Sequence, residues 1–271
     1  MPNVLSYKET IDEVTKFLEV IFHSILYLRH VYPAQIFAQK QKYGIAVWQS
    51  RNPPLTEYVK RIVECVKEEL GKVSSGSSSA RRARACSSAE RFTRPSESPQ
   101  HTLQKVALVI KATNLDETPL ERFVFDFEWL VPESELTGED FVPAARGVSR
   151  ADLDDLFRAL ISKVNYAASH YGELDGEVSF AVVAEMFDAE PPESEMAKKK
   201  LVPTEWFPAE ERASSGLATS RLNPLRSVSM GMLNMQIMVE ELEGRRAVGS
   251  APSHAPTSSG ESDAKGKGRA F

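Results

Sequence analysis

No apolar run in this chain approaches the roughly 18 residues that a membrane-spanning helix needs, so no spanning helix is expected. Lys8, Glu9, Asp12 and Glu13 sit among the first residues, where a secretory signal would be apolar. A nuclear or cytosolic protein is expected. Cysteine is scarce: Cys65 and Cys86 are the pair, and without a secretion signal both are expected as reduced thiols. The histidines, at 23, 30, 101, 170 and 254, are scattered, and none pairs with a cysteine at ligand spacing. No metal and no cofactor are expected. Neither a Gly-rich phosphate loop nor a Gly-x-Ser-x-Gly elbow is present. Adjacent carboxylates occur at Asp154-Asp155 and Glu240-Glu241, but one pair lies on the polar side of a predicted helix and the other after a predicted strand. Solvated surface explains both better than acid–base chemistry does. A non-enzyme is expected.

What remains is enough for a folded body. Hydrophobic residues make up 42% of 271, which can fill a core. The net charge of −5 is unevenly divided. Residues 73–104 carry +3 and residues 244–271 carry +3, which leaves −11 on the rest. An acidic body repels phosphate backbones, so strong direct DNA binding is not expected.

Apolar residues at Ile11, Val14, Leu18, Ile21, Ile25 and Leu28 recur in steps of three and four and predict a helix over 8–31, ended by Pro33. A second helix is expected from Pro53-Pro54 to Gly71, with Leu55, Tyr58, Val59, Ile62, Val66 and Leu70 on its stripe. From 73 to about 104 the chain turns Ser- and Arg-rich and reads as a disordered insertion. Lys105–Lys111 and Arg122–Phe127 predict an antiparallel strand pair, with Phe123, Phe125 and Phe127 on one face. Residues 129–146 have no clear period and read as loop. Ser149 and Asp152 resemble a capping box before a third helix through Val164. Glu177–Ala184 reads as a buried central strand. Residues 200–243 alternate short apolar pieces with polar ones, Met235–Val239 being the best strand, and a disordered tail is expected over 244–271. Helices early and antiparallel strands interleaved argue for an α+β fold.

Ser24-Ile-Leu-Tyr27, Tyr32-Pro33, Phe37 and Lys42-Tyr43-Gly44 together resemble the first helix and following turn of the HORMA family. Arg221-Leu-Asn-Pro-Leu-Arg226 and Met235-Gln-Ile-Met-Val-Glu-Glu241 are similar to the branch containing accessory subunits of translesion DNA polymerase zeta. The resemblance covers about residues 10–72, 105–128, 149–187 and 200–243. It implies one domain over 1–243, with three helices packed on a small antiparallel sheet. It also implies a C-terminal safety belt, about 200–243, that wraps a partner peptide.

The resemblance further implies a partner: the polymerase's catalytic subunit, captured through a proline-containing segment. Tyr58 matches one of two aromatic residues that line the family's peptide pocket, and Trp206 is expected to match the other. A second surface would bind the C-terminal domain of a deoxycytidyl-transferase translesion polymerase. Leu222, Pro224 and Gln236 match it, and Met238 stands where the animal form has tyrosine. Arg158 matches a basic residue of a homodimer contact, while His30 replaces an acid there. The spindle-assembly-checkpoint branch shares the N-terminal motifs and is the alternative. A nucleic-acid binder using the Arg-rich insertion is a further one, weakened because Phe92 is that segment's lone aromatic.

Overall fold

The computed structural model describes residues 4–71, 103–113, 117–131, 142, 147–174, 176–186 and 219–242. The insertion up to residue 102, residues 187–218 with Trp206, and the tail from 243 lie outside the described residues. Cys86 does too.

The first helix, α1 (Tyr7–Leu28), starts at a capping box: Ser6 Oγ accepts from the Glu9 amide, and Glu9 accepts from the Ser6 amide. Ser6-x-x-Glu9 carries that signal in the sequence. Its end falls short of Pro33. Arg29 is the C-cap, His30 takes φ +53°, and the His30 and Val31 amides return to Tyr27 and Leu26. This is a Schellman stop with a histidine where glycine is usual. Proline therefore does not terminate the helix; the left-handed residue before it does.

Residues 37–50, read only as a basic aromatic segment, form a hairpin of β1 (Phe37–Lys42) and β2 (Ile45–Ser50). Tyr43 and Gly44 both have positive φ in the two-residue turn, the backbone that a tight hairpin requires. Helix α2 (Pro53–Gly71) follows, with Asn52 Oδ1 accepting from the Leu55 amide.

A five-stranded antiparallel sheet is built from β3 (Leu103–Ala112), β4 (Pro119–Trp129), β5 (Val178–Met186), β6 (Thr219–Ser229) and β7 (Leu233–Leu242), in the order β5-β3-β4-β7-β6. The third helix, α3 (Arg150–His170), precedes β5. Ser149 caps it as expected, although Asp152 meets the Ser149 hydroxyl and not its amide.

The core lies between the helices and one face of the sheet. Val14, Phe17, Leu18, Ile21, Ile25 and Leu26 of α1 are fully buried, so this helix is covered on several sides. Phe17 stacks on Phe157 of α3 at 4.5 Å, and Phe22 meets Phe125 of β4 edge-on at 5.7 Å. Phe123, Phe125 and Phe127 all point into this core, as their alternation predicts. Each such side chain contributes about 1.5–3 kcal/mol by leaving water. Among the described residues, no helix is long and apolar enough to cross a membrane.

One expectation fails in an informative way. The strand at 178–186 is not central. It is an outer strand, hydrogen-bonded to β3, and all but Val183 are half-buried. Apolarity suggested burial on both sides, but an edge can be apolar when something else is meant to cover it.

Candidate partner-binding surfaces

The two edges of the sheet differ in chemistry. Along β6 stand Arg221, Pro224 and Arg226, with register shifts at Thr219/Arg221 and Pro224/Arg226. Proline, charge and bulges are the devices that keep a strand edge from pairing further. β5 carries none of them between Val178 and Ala184, and its register with β3 is continuous from Lys105 to Ala112. It offers a regular, apolar edge with a row of backbone groups suited to one more strand.

Beside that edge the helix side is aromatic. Phe180 of β5 meets Tyr58 of α2 edge-on at 5.6 Å and Tyr32 edge-on at 6.2 Å. Tyr58 is 38% exposed, so it is not a core residue. The buried stripe of α2 instead runs through Leu55, Val59, Val63, Val66 and Leu70, and Tyr58 and Ile62 sit on its shoulder. The Tyr32 phenol is pushed up by burial and then by the Tyr58 phenol nearby, so the Tyr32 hydroxyl stays protonated at neutral pH. Tyr32 and Phe180 were not singled out from the sequence as site residues. The Tyr-Pro motif carried a signal for Tyr32; Phe180 looked like any core strand residue. Trp206 cannot be placed relative to them, being outside the described residues.

The chain leaves β5 at one edge of the sheet and re-enters at β6 on the opposite edge. Residues 187–218 therefore link the two edges. The β6–β7 hairpin pairs with β4 through β7, from Glu121↔Glu241 to Trp129↔Leu233.

Leu222, Pro224, Gln236 and Met238 come together on this hairpin. Pro224 opposes Met238, Leu222 opposes Glu240 and Ser227 opposes Gln236. Since Met235, Ile237 and Val239 point into the core, these four lie on the face turned away from the helices. Leu222 is 54% exposed. Met238 is half-buried and packs on a small outer-face cluster of Ala107, Val109, Val124 and Val183. Arg122 pairs there with Glu185 and Glu240, so Glu240 of the carboxylate pair serves an ion pair across strands.

Arg158 lies on the exposed side of α3, but it is also engaged within the chain. Its Nε donates to the Tyr43 carbonyl at 2.8 Å, and Nη2 meets Asp155 at 3.0 Å. It ties α3 to the β1–β2 turn. Tyr166, 64% exposed, lies about two turns further along α3. His30 is exposed in the α1 stop. No cluster of metal-binding side chains occurs among the described residues.

The HORMA domain description matches residues 11–174. The chain belongs to the HORMA family. Among curated relatives, mitotic spindle assembly checkpoint protein MAD2B of Bos taurus is 27% identical over 231 residues, covering 85% of this HORMA chain and 90% of that protein. The DNA polymerase zeta processivity subunit of Schizosaccharomyces pombe is 46% identical over 65 residues, covering 24% of this chain and 30% of that one. A chain in the crystal structure of the mitotic checkpoint complex superposes with a TM-score of 0.57 at 22% identity, covering 86% of this chain and 98% of that one. Caenorhabditis elegans HTP-2 bound to a HIM-3 closure motif superposes at 0.55 with 11% identity, covering 89% and 94%. At these identities the two structures speak to the fold alone. The expected α+β HORMA architecture is borne out.

Proposed function

We propose that this HORMA protein is a non-catalytic adaptor that captures an extended peptide along the β5 edge. The observation that carries this is the contrast between edges: β5 is regular, apolar and flanked by Tyr58, Phe180 and Tyr32, while β6 is proline-bearing, charged and bulged. A strand added to β5 gains backbone hydrogen bonds from the edge and side-chain selection from the aromatic wall. Proline suits such a wall, since its flat, pre-ordered ring loses little entropy on docking. HTP-2, with the same fold, has a bound closure motif, which supports a peptide ligand here.

The partner we assign is a proline-containing segment of the catalytic subunit of DNA polymerase zeta, in the nucleus, with residues 200–243 as the belt. The 46% identity to the fission yeast processivity subunit supports this branch. The exposed hairpin face of Leu222, Pro224, Gln236 and Met238 then serves as the bridge to the deoxycytidyl-transferase translesion polymerase. The alternative is capture of a spindle-checkpoint partner peptide, favoured by the name of the MAD2B relatives.

The test is a fluorescent peptide from the polymerase catalytic subunit of the same organism, titrated by anisotropy. Tyr58→Ala with Trp206→Ala is expected to abolish binding while leaving the melting temperature within a few degrees. Unchanged affinity in the double variant would remove the aromatic pocket. Preference for a checkpoint peptide over the polymerase peptide would favour the alternative.

A further inference from the structure

Five polar side chains connect the body of the domain to the C-terminal hairpin. Arg29, the α1 C-cap, lies 3% exposed against Glu121 of β4, itself fully buried, with two charge-assisted bonds of 2.8 Å. Its remaining donors reach the Ala168 and Tyr171 carbonyls at 3.4 and 3.3 Å and the Gly172 carbonyl at 2.9 Å. One guanidinium thus fixes the end of α1, strand β4 and the exit of α3. The Tyr171 ring lies beside it, 5.9 Å from the guanidinium carbon. The Tyr171 hydroxyl in turn accepts from Asn223 Nδ2 of β6 at 2.9 Å, and the same nitrogen approaches Glu241 Oε1 of β7 at 3.4 Å.

The register explains why such a link is needed. Glu121 and Glu241 are directly opposed on β4 and β7. Like charges directly across a strand pair repel. With the hairpin in this position, Arg29 neutralises Glu121 and Asn223 supplies a donor to Glu241. Asn223 bonds both to the fixed body, through Tyr171, and to the second hairpin strand. A β6–β7 hairpin that left β4 would lose the Asn223–Tyr171 bond to the body, while the Asn223–Glu241 contact would travel with it.

We propose that Asn223 and Tyr171 form a latch that holds the C-terminal hairpin against β4, with Arg29 and Glu121 as its fixed post. Both are positioning residues. By holding the hairpin on β4 the latch would also slow release of a captured peptide; that second step rests on the peptide-capture reading above.

Hydrogen exchange on the full chain tests the latch. Tyr171→Phe removes the one bond from body to hairpin and keeps the ring beside Arg29, whereas Asn223→Ala removes that bond together with the contact to Glu241. Exchange of the β7 amides (Leu233–Leu242) should quicken about fivefold in Tyr171→Phe, the effect of one net hydrogen bond, and at least as much in Asn223→Ala. Exchange in β3 (Leu103–Ala112) should stay at the wild-type rate. No change in β7, or an equal rise in β3 and β7, would overturn the latch. A separate readout, dissociation of the polymerase peptide, should quicken by the same factor. Faster β7 exchange with an unchanged peptide off-rate would uphold the latch and refute its part in retaining the peptide.

Discussion

Removing Arg29 should be among the most damaging single changes in this domain. Arg29→Met keeps side-chain length and apolar packing but leaves Glu121 as a fully buried carboxylate with its counter-ion gone, and three helix-end carbonyls without that donor. Breaking a buried pair from one side costs about 3–5 kcal/mol, most of it the uncompensated charge. Domains are stable by only about 5–15 kcal/mol, so the loss is about a fifth or more of the total. For a domain of this size it corresponds to a melting temperature lower by roughly 10 °C. The double variant Arg29→Met/Glu121→Met removes the stranded charge and should recover about half of the loss, because a well-packed apolar pair can replace a buried ion pair. Urea unfolding of wild type, both singles and the double gives the coupling energy directly. A single variant within about 1 kcal/mol of wild type, or a double as unstable as the summed singles, would refute the buried pair as the post of this fold.

Stability should fall on acidification before the carboxylates titrate. His23 is 1% exposed, has no hydrogen-bond partner on either ring nitrogen, and burial pushes its pKa down to about 4, with Lys40 adding to the effect. The unfolded chain takes up a proton near pH 6.5 that the folded state refuses, so stability drops by about 1.4 kcal/mol per pH unit below that point and levels off near pH 4. His23→Met should flatten the profile between pH 6.5 and 5; an unchanged slope would show that other groups set it. Leu222→Ala should weaken binding of the translesion-polymerase domain about tenfold in calorimetry while the unfolding midpoint moves little, since the side chain is 54% exposed. Equal loss of peptide capture would mean that the hairpin had failed as a whole. Arg158→Ala should weaken self-association in sedimentation experiments and also speed amide exchange at the β1–β2 turn, because the Tyr43 carbonyl loses its donor; a change in self-association alone would mean that the intramolecular contact contributes nothing. Deleting residues 75–101 should leave peptide affinity unchanged in the anisotropy titration, and a large drop in melting temperature would show that the insertion packs on the domain.

The helices, the β3–β4 pair and the general course of the core were legible in the residues alone. Ile11 to Ile25 and Phe123 to Phe127 carry periods of 3.6 and 2 that no other element type satisfies, and local chemistry reports on local structure. The family was legible as well, in Ser24-Ile-Leu-Tyr27, Lys42-Tyr43-Gly44 and the hairpin motifs, although the turn that Tyr43-Gly44 encodes was not. Position in the sheet was not legible there and came from long-range pairing. An apolar run such as Val178–Met186 has the same composition whether covered on both sides or left at an edge, because strand order depends on pairing with Leu103–Ala112, far away in the chain. For the same reason Tyr58 could not be separated from its buried neighbours on α2: a shift of one shoulder position, set by where β5 lies, turned a core tyrosine into a wall of the groove. Arg29 and Glu121 are 92 residues apart, and nothing local to either foretells the other. Long-range pairing, not propensity, assembled the edge, the aromatic wall and the latch.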